Sequence, residues 1–297
     1  MPDRLTMQDP RFQYPQPPFP DQPQPPPGLV SKMEPAPDHG EESYKGSNRL
    51  VGRKALITGG DSGIGRAAAV AYAREGADVA IAYLPEEQGD ADEVLELIRA
   101  EGRHGVGLAG DVTEEAWCRD MVERAVSELG GLDILVINAA RQQTHESIDE
   151  VTSRDFDLTM KTNLYALHWI AQAAVPHLPP GASVIATTSI QAFEPSAHLL
   201  DYATTKAGIA AYTKALAEQL IEKGIRANAV APGPFWTVLQ PSGGQTPERV
   251  REFGKNSAFG RPGQPVELAP IYVLLASQEG SYITGEIFGA TGGKGIA

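Results

Sequence analysis

Short apolar runs alternate with stretches of helical spacing from about residue 50 onward, and that alternation confines the chain to one fold class. The runs lie at 55–58 (ALIT), 79–83 (VAIAY), 132–137 (LDILVI), 182–187 (ASVIAT) and 225–230 (IRANAV). Between them, residues 66–75, 91–101 and 114–129 repeat apolar side chains at helical intervals. Strands that are apolar along their whole length must be covered on both faces, as in a parallel sheet with helices above and below. Strand–helix–strand repetition therefore predicts an α/β fold, a doubly wound parallel sheet flanked by helices.

The first 49 residues read differently. Residues 1–37 carry 12 of the 24 prolines, including Pro25, Pro26 and Pro27. Proline fixes φ and donates no backbone hydrogen bond, so an extended arm (1–49) is expected ahead of the folded domain (50–297). Such an arm could be a solvated tail. The spaced aromatics Phe12, Tyr14 and Phe19 offer another reading, a stiff strap lying along a groove on its own subunit or a neighbour. PxxP spacing also leaves a peptide-ligand role open.

Charge and cysteine count narrow the function classes. With 38 acidic against 25 basic residues the net charge is −13, which speaks against a nucleic-acid or anionic-membrane partner. The single cysteine, Cys118, leaves no disulfide framework or cysteine-built zinc site, and no metal is expected. No apolar run is long enough to span a bilayer, and the first residues lack the apolar stretch of a secretory signal. A cytoplasmic location is the expectation.

The first apolar run leads into Thr58-Gly59-Gly60-Asp61-Ser62-Gly63-Ile64-Gly65 and then a small-residue helix. A glycine turn between strand and helix suits a dinucleotide: Gly59 for the tight turn, Gly63 for close approach to a pyrophosphate, Gly65 for helix–strand packing. The sheet is then of the Rossmann type, although the spacing is GxxxGxG and not GxGxxG. The adenosine ribose should meet the segment after the second strand, Tyr83-Leu84-Pro85-Glu86-Glu87. No Arg or Lys lies between the residues at 75 and 98, so NAD is favoured over NADP, with Arg66 keeping NADP open.

Tyr202 and Lys206 stand four apart in a helical stretch and so share a face. A phenol near pKa 10 exchanges protons poorly at neutral pH, and a neighbouring ammonium is expected to lower it. Taken alone, the pair equally fits a packing aromatic beside a solvated lysine.

Together the motifs resemble the short-chain dehydrogenase/reductase family over residues 50–297. They are Thr58-Gly59-x-x-x-Gly63-Ile64-Gly65, Asp111-Val112, Asn138-Ala139-Ala140, Asn163, Ser189, Tyr202-x-x-x-Lys206 and Pro232-Gly233-x-x-x-Thr237, in that order. The proline-rich extension resembles a bacterial subgroup with long N-termini, the YghA-like oxidoreductases. Asn138-Ala139-Ala140 departs from the usual Asn-Ala-Gly, though alanine still leaves little side chain against a cofactor.

The resemblance implies hydride transfer between NAD or NADP and an aldehyde, ketone or secondary alcohol. It implies Tyr202 as general acid and base, Lys206 lowering its pKa and holding the nicotinamide ribose, and Ser189 bonding the substrate oxygen. Asn163 would hold a water linking Lys206 to solvent, Asp111-Val112 would flank the adenine, and Asn138 would brace the central strands. Thr237 would meet the carboxamide or pyrophosphate, while Thr187 and Thr188 could be strand packing only. Residues 234–263 would form a substrate lid, on which Phe235 and Trp236 either line a pocket or pack the lid down; with Gln191, Phe193, Glu194 and Leu199 they suggest a mixed, partly apolar pocket. Arg141 is expected as the main cation there, and His145 and His198 as packing or lid residues. Residues 282–293 should supply the last strand and its glycine turn, where family members pair as homotetramers. A cofactor-binding sensor, an interaction protein acting through its arm, and an epimerase are the competing classes.

Overall fold

The computed structural model describes residues 4–296. Seven strands form one sheet: β1 (Lys54–Thr58), β2 (Asp78–Tyr83), β3 (Gly105–Ala109), β4 (Ile134–Ile137), β5 (Ser183–Thr187), β6 (Arg226–Pro232) and β7 (Ile287–Ala290). All neighbours pair in parallel, in the order β3-β2-β1-β4-β5-β6-β7. Strand order reverses between β1 and β4, and a crevice opens beyond the carboxyl ends there. The register sets Thr58 level with both Ala82 and Ile137, so the glycine turn, the β2 exit and Asn138 emerge together.

The helices are α1 (Gly63–Arg74), α2 (Gln88–Ala100), α3 (Glu115–Leu129), α4 (Ser153–Met160), α5 (Ala166–Ala174), α6 (Leu200–Leu220), α7 (Pro247–Arg251) and α8 (Pro265–Ala276). Adjacent strand residues point to opposite faces, so Ile57 joins the core under α1, α2 and α8, and Leu56 joins the one under α3, α5 and α6. Alanines at 67–69 and 71 let α1 lie close against the sheet and α8, where Tyr72 donates its hydroxyl to the Tyr272 carbonyl at 3.1 Å.

One strand has no apolar run to announce it. β3 reads Gly-Val-Gly-Leu-Ala, because a Cβ at Gly107 would stand 2.9 Å from the Tyr83 hydroxyl. As an edge strand it needs side chains on fewer sides than its neighbours do.

The arm is docked on its own subunit. Tyr14 and Phe19 are buried, while Phe12 stays 70% exposed. Tyr14 and Tyr44 join the main core, and Phe19 and Met33 form a smaller one with Trp236, Val238 and Val250. The solvated-tail reading is thereby replaced. The arm is not wholly extended either, since Val30–Lys32 closes a single 3₁₀ turn outside the proline runs. Arg74 holds its later part by donating to the carbonyls of Gly40 and Tyr44, each at 2.6 Å.

Among the described residues, no helix is long and apolar enough to cross a membrane, and no group of three or more His, Cys, Asp or Glu is placed to hold a metal ion. Cys118 is buried and unpaired.

Candidate active site

The crevice is a cleft of about 1050 Å³. Its floor is the end of β1. Gly59 and Gly63 take φ of +63° and +50°, in the left-handed region that favours glycine. A Cβ on Gly65 would fall 1.8 Å from the Gly59 carbonyl oxygen, so only glycine lets α1 start this close to the strand. No side chain caps α1 at Ser62, which leaves its first N–H groups uncapped at the cleft floor. Asn138 locks the neighbouring strand ends. Its Nδ2 donates to the Thr58 and Gly59 carbonyls at 3.3 and 3.2 Å, and its Oδ1 accepts from Thr187 at 3.1 Å.

Tyr202 lies in the first turn of α6 and Lys206 one turn on; both are buried. Lys206 Nζ stands 5.3 Å from the Tyr202 ring centroid and donates to the Thr187 carbonyl at 2.8 Å. Thr188 Oγ1 donates to the Lys206 carbonyl at 2.6 Å. Asp201 ties down the start of α6, accepting from the Tyr202 amide at 2.8 Å and the Thr159 hydroxyl at 2.6 Å. Ser189 caps the turn Ile190–Ala192 and reaches the Tyr202 hydroxyl.

Burial pushes the Tyr202 phenol up to about 12, with the Ser189 hydrogen bond opposing it. Burial likewise brings Lys206 down to about 7. The expected lowering of the phenol by the ammonium is therefore not what the chain alone produces: desolvation outweighs a cation that is itself desolvated.

Asn163 stands behind this wall, in a π-helical turn (Lys161–Tyr165). Its Oδ1 accepts from the Arg141 amide at 2.8 Å, and its Nδ2 donates to the Arg141 carbonyl at 3.0 Å and to Thr205 Oγ1 at 2.9 Å. It joins the chain beyond β4 to the turn that carries Lys206. Single π-turns of this kind recur at functional sites.

The residues singled out in the sequence converge on the cleft. Gly59, Asp61, Ser62, Gly63, Ile64, Tyr83, Leu84, Asp111, Val112, Asn138, Ala139, Ala140, Ser189, Tyr202, Lys206, Pro232, Gly233 and Thr237 all line it. Gly65 and Asn163 do not; they sit one layer behind. Beside the end of β2, Asp61 is 1% exposed and neither of its carboxylate oxygens has a hydrogen-bond partner. Burial raises its pKa, with the local backbone and Ser62 offsetting only part. Burial first, and then Asp61, raises Glu87 as well. Arg66 is engaged elsewhere, by Glu41 at 2.9 Å and Glu93 at 3.0 Å.

The family described as Enoyl-(Acyl carrier protein) reductase (adh_short_C2) matches residues 59–294. The uncharacterized oxidoreductase YhxD of Bacillus subtilis is 56% identical over 93% of each chain. The uncharacterized oxidoreductase YghA of Escherichia coli is 55% identical over 97% of this chain and 98% of its own. A short chain dehydrogenase from Burkholderia cenocepacia, solved in complex with NADP, superposes with a TM-score of 0.77 at 35% identity, covering 83% of this chain and 99% of that one. The chain belongs to the short-chain dehydrogenase/reductase family. It is an oxidoreductase of that type, on the doubly wound sheet the sequence predicted.

The substrate end of this dehydrogenase/reductase is more polar than its sequence suggested. Phe235 lines the cleft, but Trp236 is fully buried, stacked on Phe19 at 4.2 Å, and Phe193 is not in the lining. Gln142, Gln191, Gln240, Gln245 and Ser196 supply amides and a hydroxyl beside Glu194 and Leu199. Arg141 is not the dominant cation there. It is paired with Asp155 at 3.0 Å, and Arg249 and Lys294 also line the cleft, each beside its own carboxylate. His198 lines the cleft, and its carbonyl accepts from the buried His145 amide at 3.0 Å.

Sequence reasoning missed two contributors. Thr187 is more than packing, because its carbonyl anchors Lys206 while its hydroxyl bridges Asn138 and Tyr272. Pro26 and Pro27 of the arm also line the cleft. The proline run was visible, but nothing local tied it to residues two hundred positions away.

Proposed function

We propose that this oxidoreductase transfers a hydride between a nicotinamide dinucleotide and the carbonyl carbon of a small hydroxylated aldehyde or ketone, or the corresponding alcohol. The observation that carries the reading is the buried Tyr202–Lys206 pair on one wall of the cleft, with the Ser189 hydroxyl reaching the phenol. The cleft fits such a cofactor: its glycine turn admits no Cβ at Gly65, and α1 offers uncapped N–H groups to a pyrophosphate. A bound nicotinamide supplies or accepts the hydride. Tyr202 donates its proton to the developing alkoxide during reduction and takes it back in oxidation. Ser189 stabilises the charge on that oxygen. Lys206, fixed by the Thr187 carbonyl, keeps its remaining N–H groups for the ribose and the phenol.

The lining supports a hydroxylated substrate: Gln142 and Gln191 are bonded to the Gly244 carbonyl and to Ser196, but the buried Gln240 Oε1 has no partner in the chain, and a purely apolar ligand would leave it without one. Cofactor choice extends to NADP. The Burkholderia complex supports it, and a preference for NAD has no support from that neighbour. The acidic corner is compatible, because burial and then Asp61 push Glu87 up to about 8, so at neutral pH it holds a proton that it can donate to a 2′-phosphate. A cytoplasmic location follows from the same reading, with Cys118 kept as a free thiol. So does a homotetramer, supported by the half-exposed β7 at the sheet edge.

Purified protein mixed with NADH or NADPH and hydroxylated aldehydes and ketones should oxidise cofactor. Tyr202→Phe should lose roughly 10²- to 10⁴-fold in turnover while still binding cofactor. Equal background in both proteins across the panel, with dinucleotide still bound, would leave a dinucleotide-binding protein with other work; real turnover that is equal in both would remove Tyr202 from the chemistry.

A further inference from the structure

Between residues 19 and 30 the arm runs from one bank of the cleft to the other. On the lid bank, Phe19 stacks on Trp236 at 4.2 Å and its amide donates to the Arg251 carbonyl at 2.8 Å. Asp21 pairs with Arg251 at 2.8 Å, and the Gln24 amide donates to the Pro241 carbonyl at 3.0 Å. On the far bank, the Val30 amide donates to Asp90 Oδ2 of α2 at 2.8 Å. Between these anchors Pro26 and Pro27 line the cleft.

The crossing is built for close passage. Gly28 has φ +82°, and a Cβ there would lie 2.7 Å from Val238 Cγ2 and 2.8 Å from Ser242 Cβ. Below it the lid already touches the glycine turn, since a Cβ at Gly63 would meet Thr237 at 3.2 Å. The segment at 24–30, QPPPGLV, carries no charge to repel a phosphate. Its prolines reduce the entropy lost on ordering it there.

We infer that residues 24–30 are a third wall of the dinucleotide site, a strap that holds the adenosine and pyrophosphate half of the cofactor and sets how fast it leaves. The inference rests on the proposed reading that the cleft takes a nicotinamide dinucleotide. Release then requires the arm to part from the lid or from α2. Steps of this kind govern turnover in many enzymes with lids.

The test is the dissociation rate of NADH and of NADPH, followed by stopped-flow loss of nicotinamide fluorescence on dilution. Gly28→Val should lift the crossing, and Phe19→Ala should loosen the lid anchor. Each should speed release about tenfold or more, with affinity weakened to match. In the wild-type protein, saturating cofactor should slow proteolytic cleavage between residues 20 and 30. Unchanged release from both variants, with cleavage showing the arm freed, would overturn the strap. So would cleavage that cofactor leaves unaltered. Wild-type protein that binds neither dinucleotide would sink the underlying reading as well, which separates the two failures.

Discussion

The two ends of α1 each bury a carboxylate, and the fold treats them oppositely. Asp61 precedes the helix and is 1% exposed; Glu75 follows it and is 0% exposed. The helix dipole alone favours an anion at the first position and disfavours one at the second. The pKa values go the other way. At Glu75 burial pushes upward, but hydrogen bonds from Arg49 and then from Tyr44 and Ser47 pull it down to about 2. Its partners include Tyr44 Oη and Arg49 Nη2 at 2.6 Å and the Ser47 amide at 2.8 Å. At Asp61 burial wins, and the local backbone and Ser62 offset only part of the rise. A dipole is worth roughly 0.3–1 kcal/mol, whereas each hydrogen bond to a charge is worth about 1.5–3, so the donor count decides. Glu75 spends its charge on holding the arm; Asp61, at the cleft floor, keeps both oxygens buried.

The strongest way to break this contrast is Glu75→Ala. Removing one partner of a buried pair leaves Arg49 and Tyr44 without their acceptor, and the loss should be roughly 3–5 kcal/mol. Denaturant unfolding measures it, and the first segment to gain protease sensitivity should be the chain around residues 44–50. A loss below about 1 kcal/mol would mean that the arm is held by its apolar contacts and the Arg74 hydrogen bonds without help from Glu75.

Acid titration sharpens the same point. A carboxylate whose folded pKa is depressed stabilises the protein above its unfolded value and loses that contribution as pH falls through the folded one. For Glu75 the window runs from 4.5 down to about 2, worth on the order of 3 kcal/mol across it. Glu75→Gln should flatten the acid limb of the stability curve. An unaltered limb would assign the acid loss to other carboxylates.

The contrast also explains what the sequence could and could not reveal. Strands β1, β2, β4, β5 and β6 were legible because buried parallel strands must be apolar throughout. β3 was not, because the Tyr83 hydroxyl requires glycine at 107. The order and spacing of Gly59, Ser189, Tyr202 and Lys206 made the floor and one wall of the cleft readable. Local pairing rules could not show that the phenol is desolvated more than it is helped by Lys206, since that depends on what the fold packs above both. The choice between pocket lining and lid packing for Trp236 was open for a related reason. Its partner Phe19 lies more than two hundred residues earlier, and without it an aromatic on a lid reads equally as either. Glu75 drew no notice at all, because its value comes from donors at 44, 47 and 49 that only the docked arm brings to it.

Asp61→Asn should give the smallest change and one of opposite sign. The folded pKa of Asp61 is raised, so the native state holds a proton that the unfolded chain has released. Its contribution is fully present below the ordinary carboxyl range and is lost as pH rises through the raised value. Asparagine does not titrate, so the variant's stability should cease to fall over that interval, a difference on the order of 3 kcal/mol by its upper end. Chemical denaturation of both proteins at a series of pH values reads the slope directly. A wild-type slope that rises with pH would mean that Asp61 is ionised and paired in the folded chain. Adding NADH or NADPH supplies the second half of the argument. If ribose hydroxyls are the missing donors, bound cofactor should favour the carboxylate, lower the Asp61 pKa and shrink the slope difference between the proteins. Cofactor that leaves the difference intact would place the ribose away from Asp61 and leave its buried carboxyl as a cost the fold carries without a ligand to offset it.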